Sequence, residues 1–221
     1  MVRKFLQYCC VAVCLGYIST AQAVPITFDL IGPGGKVKSI SYTVDAVTVV
    51  ATALSSIGTA QVSPEAAGLG VRTAGGSKDH SRTIDRVGAI ETLRLSFNQS
   101  VELLSVVFGQ VGLEDDFALA IDGTTFVSSA SIPGGHSNGK GVSTFSSFTA
   151  SPNGTVFDFT APGLEDNYRV KGMTVSLATA VSPPTISHLP EPSALLLLGT
   201  GVIGLVGVGM VRGRRQPFLN A

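Results

Sequence analysis

The sequence predicts an all-β fold, an antiparallel β-sandwich with jelly-roll-like topology, carried between two hydrophobic ends. Three observations point there. The middle of the 221-residue chain is rich in Val, Thr, Ser and Phe, residues that fit a pleated, half-buried surface. Its apolar residues alternate with polar ones, the period of two of a strand with one face in a core. Turn-forming Gly-rich and Asp-Gly stretches punctuate these runs at short intervals, and no soluble helical period interrupts them. A chain of this length suggests one domain with extensions.

Residues 1–23 have the layout of a secretory signal peptide. Arg3 and Lys4 supply the positive start, Phe5 to Ile18 the short apolar core, and Ala21-Gln22-Ala23 the small-x-small cleavage pattern, with cleavage expected after Ala23. Cys9, Cys10 and Cys14 all fall within it. The mature chain then has no thiol, which excludes disulfide frameworks, cysteine nucleophiles and Cys-ligated zinc.

The domain expected over residues 24–178 reads as about ten short strands. Ile26–Ile31 alternates and ends at a Gly-Pro-Gly-Gly turn. Val37–Val44 alternates, Asp45-Ala46 reads as a turn, and Val47–Leu54 is β-branched. Ser55 to Arg86, rich in Gly, Ser and Ala, reads as a loop. Glu91–Phe97 places Leu93, Leu95 and Phe97 on one face, and Asn98-Gln99-Ser100 reads as a polar linker to Val101–Gly109. Asp116–Ile121 and Thr124–Ser129 flank Asp122-Gly123, the signature of a type I′ hairpin turn. After a Gly-rich loop, Ile132 to Gly141, come Val142–Ala150, Thr155–Ala161 and Tyr168–Ala178. The expected core uses Phe28, Tyr42, Leu93, Leu95, Phe97, Val107, Phe117, Leu119, Phe157, Phe159 and Val175. About 150 residues can bury roughly two-thirds of their unfolded surface, enough to fold without cross-links.

Residues 179–189 form a linker. Pro183, Pro184 and Pro190 with Pro192 block both helix and sheet pairing. Ser193 to Val211 then runs 19 residues without a charge. As a helix it reaches about 28 Å at ~1.5 Å per residue, matching a hydrocarbon core of ~30 Å. Arg212, Arg214 and Arg215 follow, and basic residues beside a span stay in the cytoplasm. That leaves residues 217–221 inside and the sandwich outside, the orientation the signal peptide also dictates.

Pro190-Glu191-Pro192, the apolar run and the Arg212-Gly213-Arg214-Arg215 end, taken together, resemble the PEP-CTERM sorting signal over residues 190–216. The resemblance implies a Gram-negative bacterium that makes extracellular polysaccharide. It also implies processing at or near the triplet by an exosortase-type membrane enzyme, after transient anchoring in the inner membrane. Two features depart from the pattern, Thr200 within the run and six residues after Arg215. Gly68 to about Gly123 is similar, more loosely, to the extracellular sandwich domains that often accompany such tails.

Composition and motifs narrow the chemistry. Between Val24 and Leu189, ten basic residues against fourteen acidic ones give −4, with no basic cluster of the kind nucleic acid requires. Asp79, Asp85, Asp115 and Asp116, with Glu114 and Asp122, lie in or beside expected loops, where carboxylates either hold calcium or stand solvated. Glu91, Glu102 and Glu114 are the carboxyls a glycosidase pair would draw on. His80, His136 and His188 show no zinc spacing, and no Gly-x-Ser-x-Gly elbow supports a serine triad. The absence of Trp removes the usual sugar-stacking platform. The expectation is an exported surface or matrix protein without catalysis or a resident cofactor. A carbohydrate- or calcium-binding module of the exopolysaccharide matrix is the alternative, and a surface hydrolase the more remote one.

Overall fold

The computed structural model describes residues 24–74 and 82–178. Within them the chain is all-β: β1 (Ile26–Asp29), β2 (Ser39–Val44), β3 (Val47–Ser55), β4 (Ala60–Glu65), β5 (Gly68–Thr73), β6 (Glu91–Val111), β7 (Asp116–Ile121), β8 (Thr124–Ser131), β9 (Gly141–Phe145), β10 (Asn153–Thr160) and β11 (Arg169–Leu177). Every pairing between these strands is antiparallel. The β7–β8 turn has Asp122 at φ 48° and Gly123 at φ 81°, the doubly positive backbone that a type I′ turn demands.

The pairing is organised by β6, which is 21 residues long. Its first half has β3 along one edge and β10 along the other; its second half has β11 and β9. The strand therefore belongs to two half-sheets. One is β2-β3-β6-β10-β7-β8. The other is β9-β6-β11, with β1 and the β5-β4 hairpin on the far side of β11. Asn98, Gln99 and Ser100, expected as a linker, lie inside this strand. Polar residues are tolerated there because they fall at an exposed stretch where β6 passes from one half-sheet to the other.

A strand in two facing half-sheets must keep its apolar side chains pointed inward throughout, and two irregularities allow it. Through Leu103 the odd-numbered residues face the core. Opposite β11, Val175 pairs with Leu103 and Thr174 with Ser105, leaving Leu104 as an extra residue. Past that bulge the even residues Val106 and Phe108 are buried, and Val107, expected in the core, is only half-buried. The parity reverts at Gln110, whose φ of 59° lies between two registers with β9, so Val111 is buried. An extra residue flips every subsequent side chain to the other face.

The half-sheets meet through aromatic rings. Phe28 of β1 packs edge-on against Phe97 at 5.7 Å, and Phe97 against Phe157 at 5.7 Å. Phe108 contacts Phe117, Phe159 and Tyr168. Phe117 in turn meets Phe145 of β9 at 4.9 Å. Offset and edge-to-face pairs of this kind add about 0.5–1.5 kcal/mol each beyond their buried area. Of the remaining expected core residues, Leu93, Leu95, Leu119 and Val175 are buried. Tyr42 is not: on the outer strand β2 it is half-buried and donates its hydroxyl proton to the Ile31 carbonyl at 2.9 Å.

The span Ser55 to Arg86, expected as a loop, contains the β4-β5 hairpin. Its glycines and Pro64 hide it. Pro64 lies on the outermost strand, which tolerates a missing N–H. Gly70 has no room for a side chain, since a Cβ there would sit 1.9 Å from the Arg82 carbonyl oxygen. The expected strand Val142–Ala150 is shorter, ending at Phe145.

Arg169, 1% exposed, ties this hairpin to the sheet. Its Nη1 donates to the carbonyls of Ser63 and Gly68 at 2.9 and 3.1 Å, and Nε to Gln110 Oε1. Nη2 lies 3.3 Å from Glu65 Oε2. Burial pulls the guanidinium's pKa down, and Glu65 opposes that pull. Replacing Arg169 by Met is expected to destabilise the protein by about 3 kcal/mol, read as a lower urea midpoint, because the buried carbonyls of Ser63 and Gly68 and the Gln110 Oε1 lose their donor, while Glu65 keeps Arg82 at 3.2 Å.

Candidate functional site

The most organised polar cluster is built from two similar hexapeptides that share Gly-Leu-Glu-Asp. Gly112-Leu113-Glu114-Asp115-Asp116-Phe117 enters β7, and Gly163-Leu164-Glu165-Asp166-Asn167-Tyr168 enters β11. In each copy the fourth residue folds back on the first. Gly112 N donates to Asp115 Oδ2 and Gly163 N to Asp166 Oδ2, both at 2.5 Å. Each aspartate then reaches across to the other copy. Asp116 N donates to Asp166 Oδ1 at 3.0 Å, and Asn167 N to Asp115 Oδ1 at 3.1 Å. The result is a reciprocal clasp, two carboxylates satisfied by four backbone N–H groups. A Cβ on Gly163 would lie 2.7 Å from Asp166 Oδ2, so the close approach needs glycine there.

Both aspartates are buried, at 4% and 7% exposure. Burial raises the Asp115 pKa above the ordinary carboxylate value. The Gly112 and Asn167 N–H groups oppose that rise, and Asp166 and Asp116 add to it. The sixth positions anchor the clasp in the core: Phe117 and Tyr168 are both fully buried, and Tyr168 donates to the Thr160 carbonyl at 2.8 Å. The second positions do the reverse, leaving Leu113 and Leu164 exposed. Beside the clasp, Leu113, Glu114, His136, Glu165 and Asn167 line an open cavity of about 370 Å³.

The carboxylates singled out from sequence are dispersed by the fold. Asp115 belongs to the clasp, while the side chain of Asp116 accepts from Ser129 Oγ at 2.7 Å. Asp85 is buried elsewhere, capping Val87 N at 2.9 Å. Asp122 accepts from Thr155 N, Thr155 Oγ1 and Val156 N, so it closes its own hairpin onto β10. Glu91 is buried and accepts from Thr73 Oγ1 at 2.8 Å; Glu102 accepts from Ser176 Oγ. Among the described residues no group of three or more His, Cys, Asp or Glu side chains converges on a metal-sized position. Asp79, His80 and His188 lie outside the described residues, as do Ala21, Ala23, Pro190, Glu191, Pro192, Arg212, Arg214 and Arg215.

Asp166 belongs to no known-site motif. The signal that finds it is the exact recurrence of Gly-Leu-Glu-Asp at 112–115 and 163–166. Comparison of the chain with protein-family models, with curated proteins and with solved structures yields no match.

Asp115→Ala and Asp166→Ala are each expected to destabilise the fold by about 1–3 kcal/mol. The double variant should lose less than the sum, measured in a denaturation cycle, because each carboxylate serves the loop that positions the other.

Two aspartates should also give opposite pH signatures. The stability contribution of Asp115, with its raised pKa, is present below 3.8 and lost as pH rises through the folded value. Asp122 lies below its ordinary value: some desolvation is outweighed by the Val156 and Thr155 donors. Its contribution is present above 3.8 and lost as pH falls, and solvent screening keeps it modest. Tm profiles of Asp115→Asn and Asp122→Asn should therefore depart from the parent with opposite slopes across that pH.

Proposed function

We propose that this is an exported surface or extracellular-matrix protein, sorted and processed through its C-terminal end, whose β-sandwich has a non-catalytic structural or interaction role. The observation that carries the proposal is the order of parts in one chain. A leader with a small-x-small end precedes a β-domain, which precedes Pro190-Glu191-Pro192, an uncharged run long enough to span, and Arg212, Arg214 and Arg215. Each part has a physical task. The apolar run supplies insertion, the arginines supply orientation, and the prolines keep the triplet out of helix and sheet, open to a processing enzyme. The implied partner is an exosortase-type membrane enzyme, and the implied route is transient inner-membrane anchoring followed by release to the cell surface.

The domain is consistent with a passenger of this kind. Its all-β antiparallel fold is stabilised by packing and buried hydrogen bonds, and the mature chain has no cysteine to depend on the redox state outside the cell. Asp85, Glu91, Asp115, Asp122 and Asp166 are all engaged in holding turns and loops. That engagement favours a structural role for them over paired acid–base chemistry, which needs two carboxyls across a cleft.

Replacing Pro190-Glu191-Pro192 with three alanines is expected to leave the protein unprocessed in the membrane fraction, at higher apparent mass on a blot of fractionated cells. Unchanged size and location would overturn the sorting proposal.

A further inference from the structure

The outer face of the β3-β6-β10-β7-β8 half-sheet carries a groove with its own chemistry. The register aligns one row across all five strands: Thr52, Arg94, Asp158, Ala120 and Thr125. The next row reads Leu54, Thr92, Thr160 and Ala118. At the centre, Arg94 Nε and Nη2 donate to Asp158 Oδ1 and Oδ2, both at 2.8 Å. This fork lies on the groove floor, with side-chain exposures of 39% for Arg94 and 13% for Asp158. Short side chains surround it, so the face is hollow there, with about 540 Å³ of open volume. That is within the ~300–1,000 Å³ typical of ligand sites.

We propose that this groove binds a neutral polyhydroxylated chain, a neutral glycan. Two features of its chemistry select that occupant. First, the only ion pair lining the groove neutralises itself, so a phosphate or uronate chain meets no net positive charge. Second, the remaining polar groups are hydroxyls of Thr92, Thr125, Ser128 and Thr160, each able to donate and accept, which matches sugar hydroxyls. A guanidinium has five N–H groups, so the fork leaves Arg94 further donors, and its carboxylate partner keeps acceptor capacity. Ala118, Ala120 and Leu54 offer the apolar contact that the C–H faces of a sugar need. Strands ~4.8 Å apart repeat these groups on the scale of a sugar ring. A peptide pairing by backbone would need a strand edge, which a sheet face does not present. With no aromatic ring lining the groove, single-site affinity is low, and a polymer is the appropriate probe.

The experiment is affinity electrophoresis of the purified full chain in native gels containing dextran, mannan or galactomannan, with alginate and polyphosphate as anionic counterparts. Retardation by at least one neutral polymer is expected, and it should be lost in Ala120→Arg and Ala118→Gln, which fill the floor from half-exposed positions. Thermal unfolding of both variants should stay at the parent value. No retardation by any neutral polymer, retardation by anionic polymers alone, or undiminished retardation in the stable Ala120→Arg variant would each overturn the proposal. The result is independent of sorting, which the blot of the triple-alanine variant reads separately.

Discussion

The fold depends on one strand serving two half-sheets. β6 supplies the paired edges for β3, β10, β11 and β9, so a fault in its register would reach both faces of the sandwich. The period of a strand is two, and a continuous β6 with unbroken alternation would turn Val106 and Phe108 outward in its second half. The extra residue at Leu104 prevents this, and the left-handed backbone of Gln110 then restores the first parity so that Val111 is buried. The bulge at Leu104 lets Phe108 enter the aromatic cluster with Phe117, Phe159 and Tyr168 that joins the half-sheets.

Around that strand the polar groups are used as fasteners. Arg169 is buried because it serves several acceptors at once, two carbonyls, Gln110 and Glu65. One of these is the very residue whose positive φ resets β6, so the hairpin β4-β5 and the register of β6 are held by the same guanidinium. The Gly-Leu-Glu-Asp clasp does the equivalent work at the entries to β7 and β11. A buried carboxylate is costly unless hydrogen-bonded, and here each receives one N–H from its own loop and one from its twin. Neither loop reaches this arrangement alone. In contrast, the Arg94–Asp158 fork lies on an outer face, where its remaining hydrogen-bonding capacity faces solvent. The buried charges thus hold loops and crossings, while this pair bridges β6 and β10 on an outer face.

Much of the strand pattern was legible in the sequence. The alternation of Leu93, Leu95 and Phe97, the Asp122-Gly123 turn and the Phe157–Phe159 pair all appear as read. The hairpin over Ala60–Thr73 was not, because Pro64, Gly68 and Gly70 are breakers by local propensity. They are allowed only by an outer-strand position and a close backbone crossing, which are properties of neighbours distant in the chain. Val107 departs from the expected core for a related reason: a bulge is visible only when the partner strand is known. Asp115 is a candidate carboxylate on sequence alone, but its partner Asp166 lies 51 residues further along and is joined to it only when β7 and β11 are brought together.

By itself, the sequence determined the all-β class and the alternating core faces, and it displays in order an apolar N-terminal stretch, a strand-patterned middle, the Pro190-Glu191-Pro192 triplet, an uncharged run and a basic end. Those features depend on local period, composition and charge, which a linear chain displays in full. Only the tertiary structure decided which half of β6 faces inward on which parity, which carboxylates close on each other and which polar face is left open as a groove. Those outcomes depend on register between strands far apart in sequence, and a shift of one residue exchanges the inside of a sheet for its outside.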